Sequence, residues 1–222
     1  MTEQQLDDCM YDTMFLGNPE SIVPTNDAQM TQHCSKMMTG IKCVKDYSDT
    51  CLTGFAKQMT GMVSDSLSKH LDTQCNQPKE RAEFIENMKC FEPKEKMTPL
   101  HVCTDKHTKA MELVSLMNKG DPHMQFMCCA YQLFRRCITK EVTQICSVGH
   151  SQFWDEMFDE VASEAVTMAC SDLNSVDKCS AKLDAAHWTQ LKTLDEATDP
   201  SVWHHGARTP IKFMLEMIKK FN

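Results

Sequence analysis

Residues 27–45 read DAQMTQHCSKMMTGIKCVK, and residues 121–145 read DPHMQFMCCAYQLFRRCITKEVTQI. In both stretches apolar or sulfur-bearing side chains recur every three or four positions, which gives an α-helix one apolar face. The face consists of Met30, Cys34, Met37, Met38, Ile41 and Val44 in the first stretch and of Met124, Cys128, Tyr131, Phe134, Ile138 and Ile145 in the second. Both stretches are predicted to form long amphipathic helices whose cysteines can be cross-linked to other helices.

Two further segments have the same helical spacing. Their apolar residues are Phe55, Met59, Met62, Val63, Leu67 and Leu71 in residues 55–71, and Trp154, Met157, Phe158, Val161, Ala165 and Met168 in the matching later segment. Hairpin turns of the Asn-Gly or Asp-Gly kind are absent, and β-branched residues do not cluster. The sequence therefore predicts an all-α fold that is stapled by disulfides.

The thirteen cysteines follow a period of about 94 residues. They are Cys9, Cys34, Cys43, Cys51, Cys75, Cys90, Cys103, Cys128, Cys129, Cys137, Cys146, Cys170 and Cys179. The first five are each followed by another cysteine 94 or 95 residues later, and the sixth by one 89 residues later. This recurrence predicts a tandem duplication. We assign a first six-cysteine helical unit to residues 1–94, a second to residues 95–193, and a connector with a C-terminal helix to residues 194–222.

The cysteine content also predicts a compartment. Six cysteines in each unit are expected to form three disulfides, and a chain so rich in half-cystines belongs in an oxidising, extracellular compartment. Cys129 has no counterpart in the first unit and is predicted to be unpaired, either buried and inert or available for a bridge to another chain.

No C-x-x-C pair or other zinc-ligand spacing occurs, so no metal site is expected. The first five residues lack the basic and apolar regions of a signal peptide, so we expect a mature secreted chain.

Helix geometry limits how the cysteines can pair. Cys51 and Cys75 lie at opposite ends of a predicted helix roughly 36 Å long, and Cys34 and Cys43 lie roughly 13 Å apart on another. Neither pair can bond, because a disulfide needs Cα atoms within about 7 Å. Ten of the fifteen connectivities of six cysteines stay open. The favoured pairs, which flank presumed turns, are Cys43 with Cys51 and Cys137 with Cys146.

Charge and motifs argue against several classes of function. The net charge of −8 disfavours nucleic-acid binding, which uses a basic surface. No apolar run approaches the roughly 18 residues needed to span a membrane. His101 and His107 have no counterparts in the first unit, and no H-E-x-x-H, G-x-S-x-G or glycine-rich phosphate loop occurs. We expect a non-enzymatic protein without a cofactor, with a hydrolase of dispersed catalytic residues as the remote alternative.

The C-terminal residues 210–222 form a predicted amphipathic helix without cysteine. Its apolar face consists of Ile211, Met214, Leu215, Ile218 and Phe221. Such a helix can dock on its own domain, bind a partner or lie on a lipid surface. Docking on its own domain is favoured, because an exposed apolar face of this size would reduce solubility.

The cysteine-flanked helices resemble a known group of proteins. The segment Leu100–Cys103, the pair Cys128-Cys129 and the series Cys137, Cys146, Cys170 and Cys179 resemble secreted cysteine-rich helical proteins of arthropods, of which the 27 kDa hemolymph protein family is the named example. The likeness covers most of residues 9–179 and concerns the cysteine spacing. No Asn-x-Ser/Thr glycosylation site is present, so an N-glycosylated hemolymph protein is not supported. The resemblance implies an extracellular, non-enzymatic protein of a body fluid or secretion.

The methionine content suggests a binding role. Eighteen methionines stand in for other apolar residues, since Leu, Ile, Val and Phe make up less than a fifth of the chain. Methionine is flexible and polarizable, so methionine-rich helix faces either fill a core or adapt to an apolar guest. The leading hypothesis is a secreted carrier of an apolar small molecule or lipid, with the ligand bordered by Met59, Met62, Trp154, Met157 and Phe158. The alternative is a structural or interaction component of a secretion, matrix or venom, assembling as a homodimer or with another protein through Cys129 or residues 210–222.

Overall fold

The computed structural model describes residues 1–118, 120–161, 167 and 169–219. Within these ranges it contains ten α-helices and no strand, so the all-α prediction is confirmed. The helices are α1 (Glu3–Thr13), α2 (Asp27–Cys51), α3 (Gly54–Asn76), α4 (Pro78–Lys89), α5 (Thr98–Ser115), α6 (His123–Ile145), α7 (Val148–Val161), α8 (Val176–Lys182), α9 (Ala185–Glu196) and α10 (Pro210–Lys219). Short 3-10 turns cover Lys94–Met97, Ser171–Leu173 and Pro200–Val202. Some residues predicted on helix faces lie outside the described part: Ala165, Met168 and Phe221, and the side chains of Phe55 and Ile218.

The buried side chains form three clusters. The first lies between α5, α6 and the segments that follow residue 170, and the third joins α1, α2 and α10. The second cluster combines Phe84 and Met88 from the first predicted unit with Ile138 and Trp154 from the second. The tandem duplication and its boundaries stay predictions, but residues 1–94 and 95–193 share a core and do not form separate hydrophobic units.

The structure pairs twelve of the thirteen cysteines, all of which lie in the described ranges. The disulfides are Cys9–Cys43, Cys34–Cys75, Cys90–Cys146, Cys103–Cys137, Cys128–Cys170 and Cys129–Cys179. Two bonds of the first segment have counterparts in the second at the predicted period, with sequence separations of 34 and 34 and of 41 and 42 residues. The exclusions of Cys51–Cys75 and Cys34–Cys43 are confirmed.

The unpaired cysteine is not the predicted one. Cys129 is fully buried and bonded to Cys179, so the prediction of a free Cys129 that could bridge two chains is wrong. The free residue is Cys51, which was predicted to be bonded and is instead exposed at the end of α2. The period misled here, because the counterpart of Cys51 bonds across the predicted unit boundary to Cys90.

The favoured pairs Cys43–Cys51 and Cys137–Cys146 are also wrong, and for one reason. Both rested on a turn between the two cysteines. Instead α2 continues through Cys51 and α6 continues to Ile145. Cysteines eight or nine residues apart on one helix are separated by roughly 12 Å or more, which is too far for a bond.

The C-terminal helix docks on its own chain. Helix α10 packs against α1 and α5, with Phe213 and Met217 in the first cluster and Leu215 in the third. The predicted apolar face did not include Phe213 and Met217, because the prediction assumed one buried face. Helix α10 instead lies between two clusters and is buried on two sides. The described part of this helix thus covers its apolar surface by intramolecular packing. No helix in the described ranges has the length and apolarity needed to cross a membrane.

Candidate functional site

The five side chains predicted to border a ligand occupy different environments. Trp154 and Phe158 are buried in the second cluster, and Met157 packs against it from a half-buried position. Met59 is half-buried on α3, and Met62 has 48% of its surface exposed. The structure therefore brings three of the five to one cluster and leaves the two methionines of α3 at the surface.

Trp154 sits in tightly packed aromatic surroundings. Its ring centroid lies 5.9 Å from that of Phe15, 6.0 Å from that of Phe91 and 6.3 Å from that of Phe158. Such distances are those of directly packed aromatic pairs. The side chain fills the core where α7 meets the rest of the chain, and its neighbours are other parts of the protein.

A different part of the fold contains an apolar cleft. It lies between α5, α6 and α9, encloses a cavity of about 20 Å³ and, with the space open to solvent, measures about 290 Å³. We call it the α5–α6–α9 cleft. Its lining residues are Cys103, Lys106, His107 and Ala110 from α5, Ala130, Leu133, Phe134 and Cys137 from α6, and Leu191, Leu194 and Asp195 from α9. Most of this lining is apolar, as in small-molecule sites generally.

Covalent and polar contacts hold the walls of the cleft in place. The disulfide Cys103–Cys137 lies in the lining and joins α5 to α6, with Cα atoms 5.8 Å apart. Asp195 of α9 binds to both α5 and α6. The backbone oxygen of Asp195 accepts a 2.7 Å hydrogen bond from Lys106 Nζ of α5, and its carboxylate accepts a 2.6 Å bond from Arg136 Nη2 of α6. The spacing of the three helices is therefore fixed before any ligand arrives.

His107 is the most unusual lining residue. Its ring stacks on Phe134 with centroids 4.7 Å apart and planes at 24°. Burial lowers the pKa of His107 to about 4, and a hydrogen bond to the carbonyl oxygen of Ala130 opposes that shift. The imidazole is thus neutral at physiological pH. Its Nδ1 atom is out of contact with solvent and has no hydrogen-bond partner among the described residues.

The polar groups of the cleft are otherwise satisfied within the protein. The Lys106 ammonium, besides its bond to the Asp195 carbonyl, lies 5.1 Å from the ring centroid of Trp203. Burial lowers the pKa of this lysine. No group of three or more His, Cys, Asp or Glu side chains in the described part of the chain could hold a metal ion. The arrangement offers mostly apolar walls, which suit a small neutral molecule.

The sequence contained a faint signal for this cleft. His107 stands between Cys103 and Ala110 at helical spacing, so it places a polar ring on a stripe that is otherwise apolar. It also has no counterpart in the first predicted unit. Leu191 and Leu194 could not be assigned to the same cleft, since they come from a helix more than 50 residues further along the chain.

Comparison with known proteins adds no relative: no family model, curated protein or solved structure matches this chain. The resemblance to arthropod hemolymph proteins stays a prediction.

Proposed function

We propose that this protein is a secreted, extracellular and non-enzymatic binding protein that carries a small apolar molecule in the α5–α6–α9 cleft. The observation that carries the proposal is the largely apolar lining of this cleft, which three helices form and a disulfide within the lining holds in place. Small-molecule sites are typically concave, mostly apolar and largely preformed.

The rigidity of the cleft supports the same proposal. A preformed site binds more tightly than a flexible one, because less conformational entropy is lost when the ligand is bound. Here α5 and α6 are joined by a disulfide within the lining, and α6 is further bonded through Cys128 and Cys129 to Cys170 and Cys179. Helix α6, which contributes four of the eleven lining residues, is the most heavily cross-linked helix among those described.

The disulfides support the extracellular part of the proposal. Twelve of the thirteen cysteines form six intramolecular disulfides. Bonds of this number persist in oxidising compartments and are rare where thiol reductants are abundant. Secretion would place the chain where its ligand is transported through a body fluid or held in a secretion.

A fluorescent apolar probe tests the binding function. N-phenyl-1-naphthylamine should bind to the disulfide-bonded protein and gain fluorescence as it leaves water. The variant Ala110→Met places a longer side chain in the cleft and should weaken binding at least tenfold. The matched control Ala186→Met makes the same change at an exposed position of α9 and should bind the probe as the unchanged protein does.

Two results would overturn the proposal. One is the absence of probe binding to the unchanged protein, and the other is equal affinity in the two methionine variants. Circular dichroism and the thermal midpoint of each variant confirm that both are folded. Native mass spectrometry before and after denaturation adds an independent readout, because a carried ligand appears as a small mass that is lost on unfolding.

A further inference from the structure

Residues 203–209, which lead into α10, are attached to α5 through a histidine. His205 Nδ1 lies 2.6 Å from the carbonyl oxygen of Ala207, and His205 Nε2 lies 3.5 Å from Asp105 Oδ1 of α5. Both partners are acceptors, so each ring nitrogen needs a proton to interact favourably. A neutral imidazole carries one N–H and the imidazolium carries two. The geometry therefore matches the charged form of His205.

The carboxylates of α5 favour that charge. Besides Asp105, the charge of Glu112 acts on the ring, and Glu112 accepts a 3.1 Å hydrogen bond from the Gly206 amide. Burial opposes a charge on the imidazole, but the carboxylates and the Ala207 carbonyl outweigh it, so the pKa of His205 is raised from its ordinary 6.5. The ring therefore keeps its proton to a higher pH than a histidine in an unfolded chain.

Other charged groups near residues 203–209 are occupied by partners of their own. They are Lys109 with Glu112, Lys106 with the Asp195 carbonyl and the Trp203 ring, Arg208 with Asp8, and Asp7 with the amides of Arg208 and Thr209. His101 lies one turn before Asp105 on α5, but burial lowers its pKa, so it is neutral where His205 is charged. The proton on His205 is thus the one that changes the attachment to α5 near neutral pH.

Loss of this proton affects more than one contact. One nitrogen of His205 then presents a lone pair to an acceptor oxygen, and the attachment to α5 is weakened. Trp203 of the same segment is buried in the first cluster together with Phe213 and Met217 of α10. Loosening the segment therefore also loosens the packing of α10 on α5.

We propose that His205 is a proton-dependent latch, whose imidazolium attaches residues 203–209 to α5 and whose deprotonation loosens this segment and the start of α10. The latch does not depend on the proposed binding function. Its contribution to stability is fully present below about pH 6.5, where the unfolded chain also binds the proton, and is lost as the pH rises through the higher pKa of the folded protein.

Tryptic cleavage after Arg208 tests the latch, because cleavage of a structured segment follows the population of its open form. The variant His205→Gln keeps an amide donor but cannot take up a proton. At about pH 6 it should be cleaved about fivefold faster than the unchanged protein, the size of one net hydrogen bond, and at about pH 8.5 equally fast. Comparing the two proteins at one pH cancels the pH dependence of trypsin. His204→Gln, at the exposed neighbouring histidine, should match the unchanged protein at both pH values.

A titration of the unchanged protein keeps the test independent of variant folding. In ¹H–¹³C spectra, the pKa of His205 should lie above about 6.5, and Asp105→Asn should lower it. Mass spectrometry of the disulfide-bonded protein follows cleavage of the 208–209 bond, and circular dichroism confirms that each variant is folded. Equal cleavage of His205→Gln and the unchanged protein at both pH values, the same acceleration in His204→Gln, or a His205 pKa below about 6.5 would overturn the latch.

Discussion

Replacing Asp7 by alanine should destabilise the protein by detaching the start of α10 from α1. The Asp7 side chain is completely buried, and its hydrogen-bond partners are 201 and 202 residues away in the sequence. It accepts hydrogen bonds of 2.7 Å from the Arg208 amide, 2.8 Å from the Thr209 amide and 2.7 Å from the Thr209 hydroxyl. These groups directly precede Pro210, the first residue of α10, so a side chain of α1 anchors the segment that leads into the last helix.

The expected loss follows from the number of bonds removed. Hydrogen bonds to a charged group contribute about 1.5–3 kcal/mol each, and their loss here also leaves buried donors without a partner. Taking the lower value for three bonds gives about 4.5 kcal/mol. For a chain of this length, each kcal/mol lowers the thermal midpoint by about 2–4 °C. Asp7→Ala should therefore unfold about 9–18 °C below the unchanged protein.

The neighbouring residue provides the control. Asp8 pairs with the Arg208 guanidinium at 3.3 Å, but its side chain remains 46% exposed. Exposed ion pairs contribute less than about 1 kcal/mol, so Asp8→Ala should change the midpoint by only a few degrees. Thermal unfolding followed by circular dichroism, without reductant, compares the two variants. Equal midpoints for Asp7→Ala and Asp8→Ala would refute the anchoring role of the buried carboxylate.

Three further predictions follow from individual side chains. Burial, aided by the charge of a nearby lysine, lowers the pKa of His33 to about 4 in the folded protein. As the pH falls, the His33 imidazole is therefore protonated in the unfolded chain before it is protonated in the folded one. Stability should therefore decline between about pH 6.5 and pH 4, with roughly 3 kcal/mol from this residue, and urea titrations of His33→Phe should show a shallower decline. A Cβ atom on Gly40 would lie 2.5 Å from the Thr13 hydroxyl oxygen, whereas one on Gly61 would meet nothing within 4 Å. Gly40→Ala should accordingly lower the urea midpoint, and Gly61→Ala should stabilise α3 by about 0.5–1 kcal/mol; the reverse order would contradict the packing of α1 on α2. A maleimide added in denaturant without reductant should modify one thiol per chain and none in Cys51→Ser, and labelling of a second cysteine would contradict the disulfide pairing.

Local patterns were sufficient to predict the class of fold. Helical spacing of apolar residues located α2, α3, α6 and α10, because any amphipathic helix with one buried face has apolar residues every three or four positions. Helix geometry alone excluded Cys51–Cys75 and Cys34–Cys43, and the abundance of cysteine predicted extensive cross-linking. These inferences needed only distances along a single helix, which the residue numbers supply.

The identity of the bonded pairs required the tertiary structure. A disulfide forms where two Cα atoms come close, and for Cys90 with Cys146 or Cys129 with Cys179 that closeness is set by how separate helices pack. Sequence matching assigned Cys129 as the free residue because it lacked a counterpart. In the folded chain the free cysteine is Cys51, because the end of α2 lies at the surface.

The candidate site depended on packing still more strongly. The sequence determined an all-α, disulfide-bonded chain and singled out apolar faces, but it could not tell a face that lines a cleft from a face that fills a core. Trp154 and Phe158 proved to be core residues, while His107, Leu191 and Leu194 were brought together only when α9 closed over α5 and α6. Helix formation is governed by neighbours three and four residues away, whereas a cleft is the space left between helices, and its shape exists only once all of them have packed.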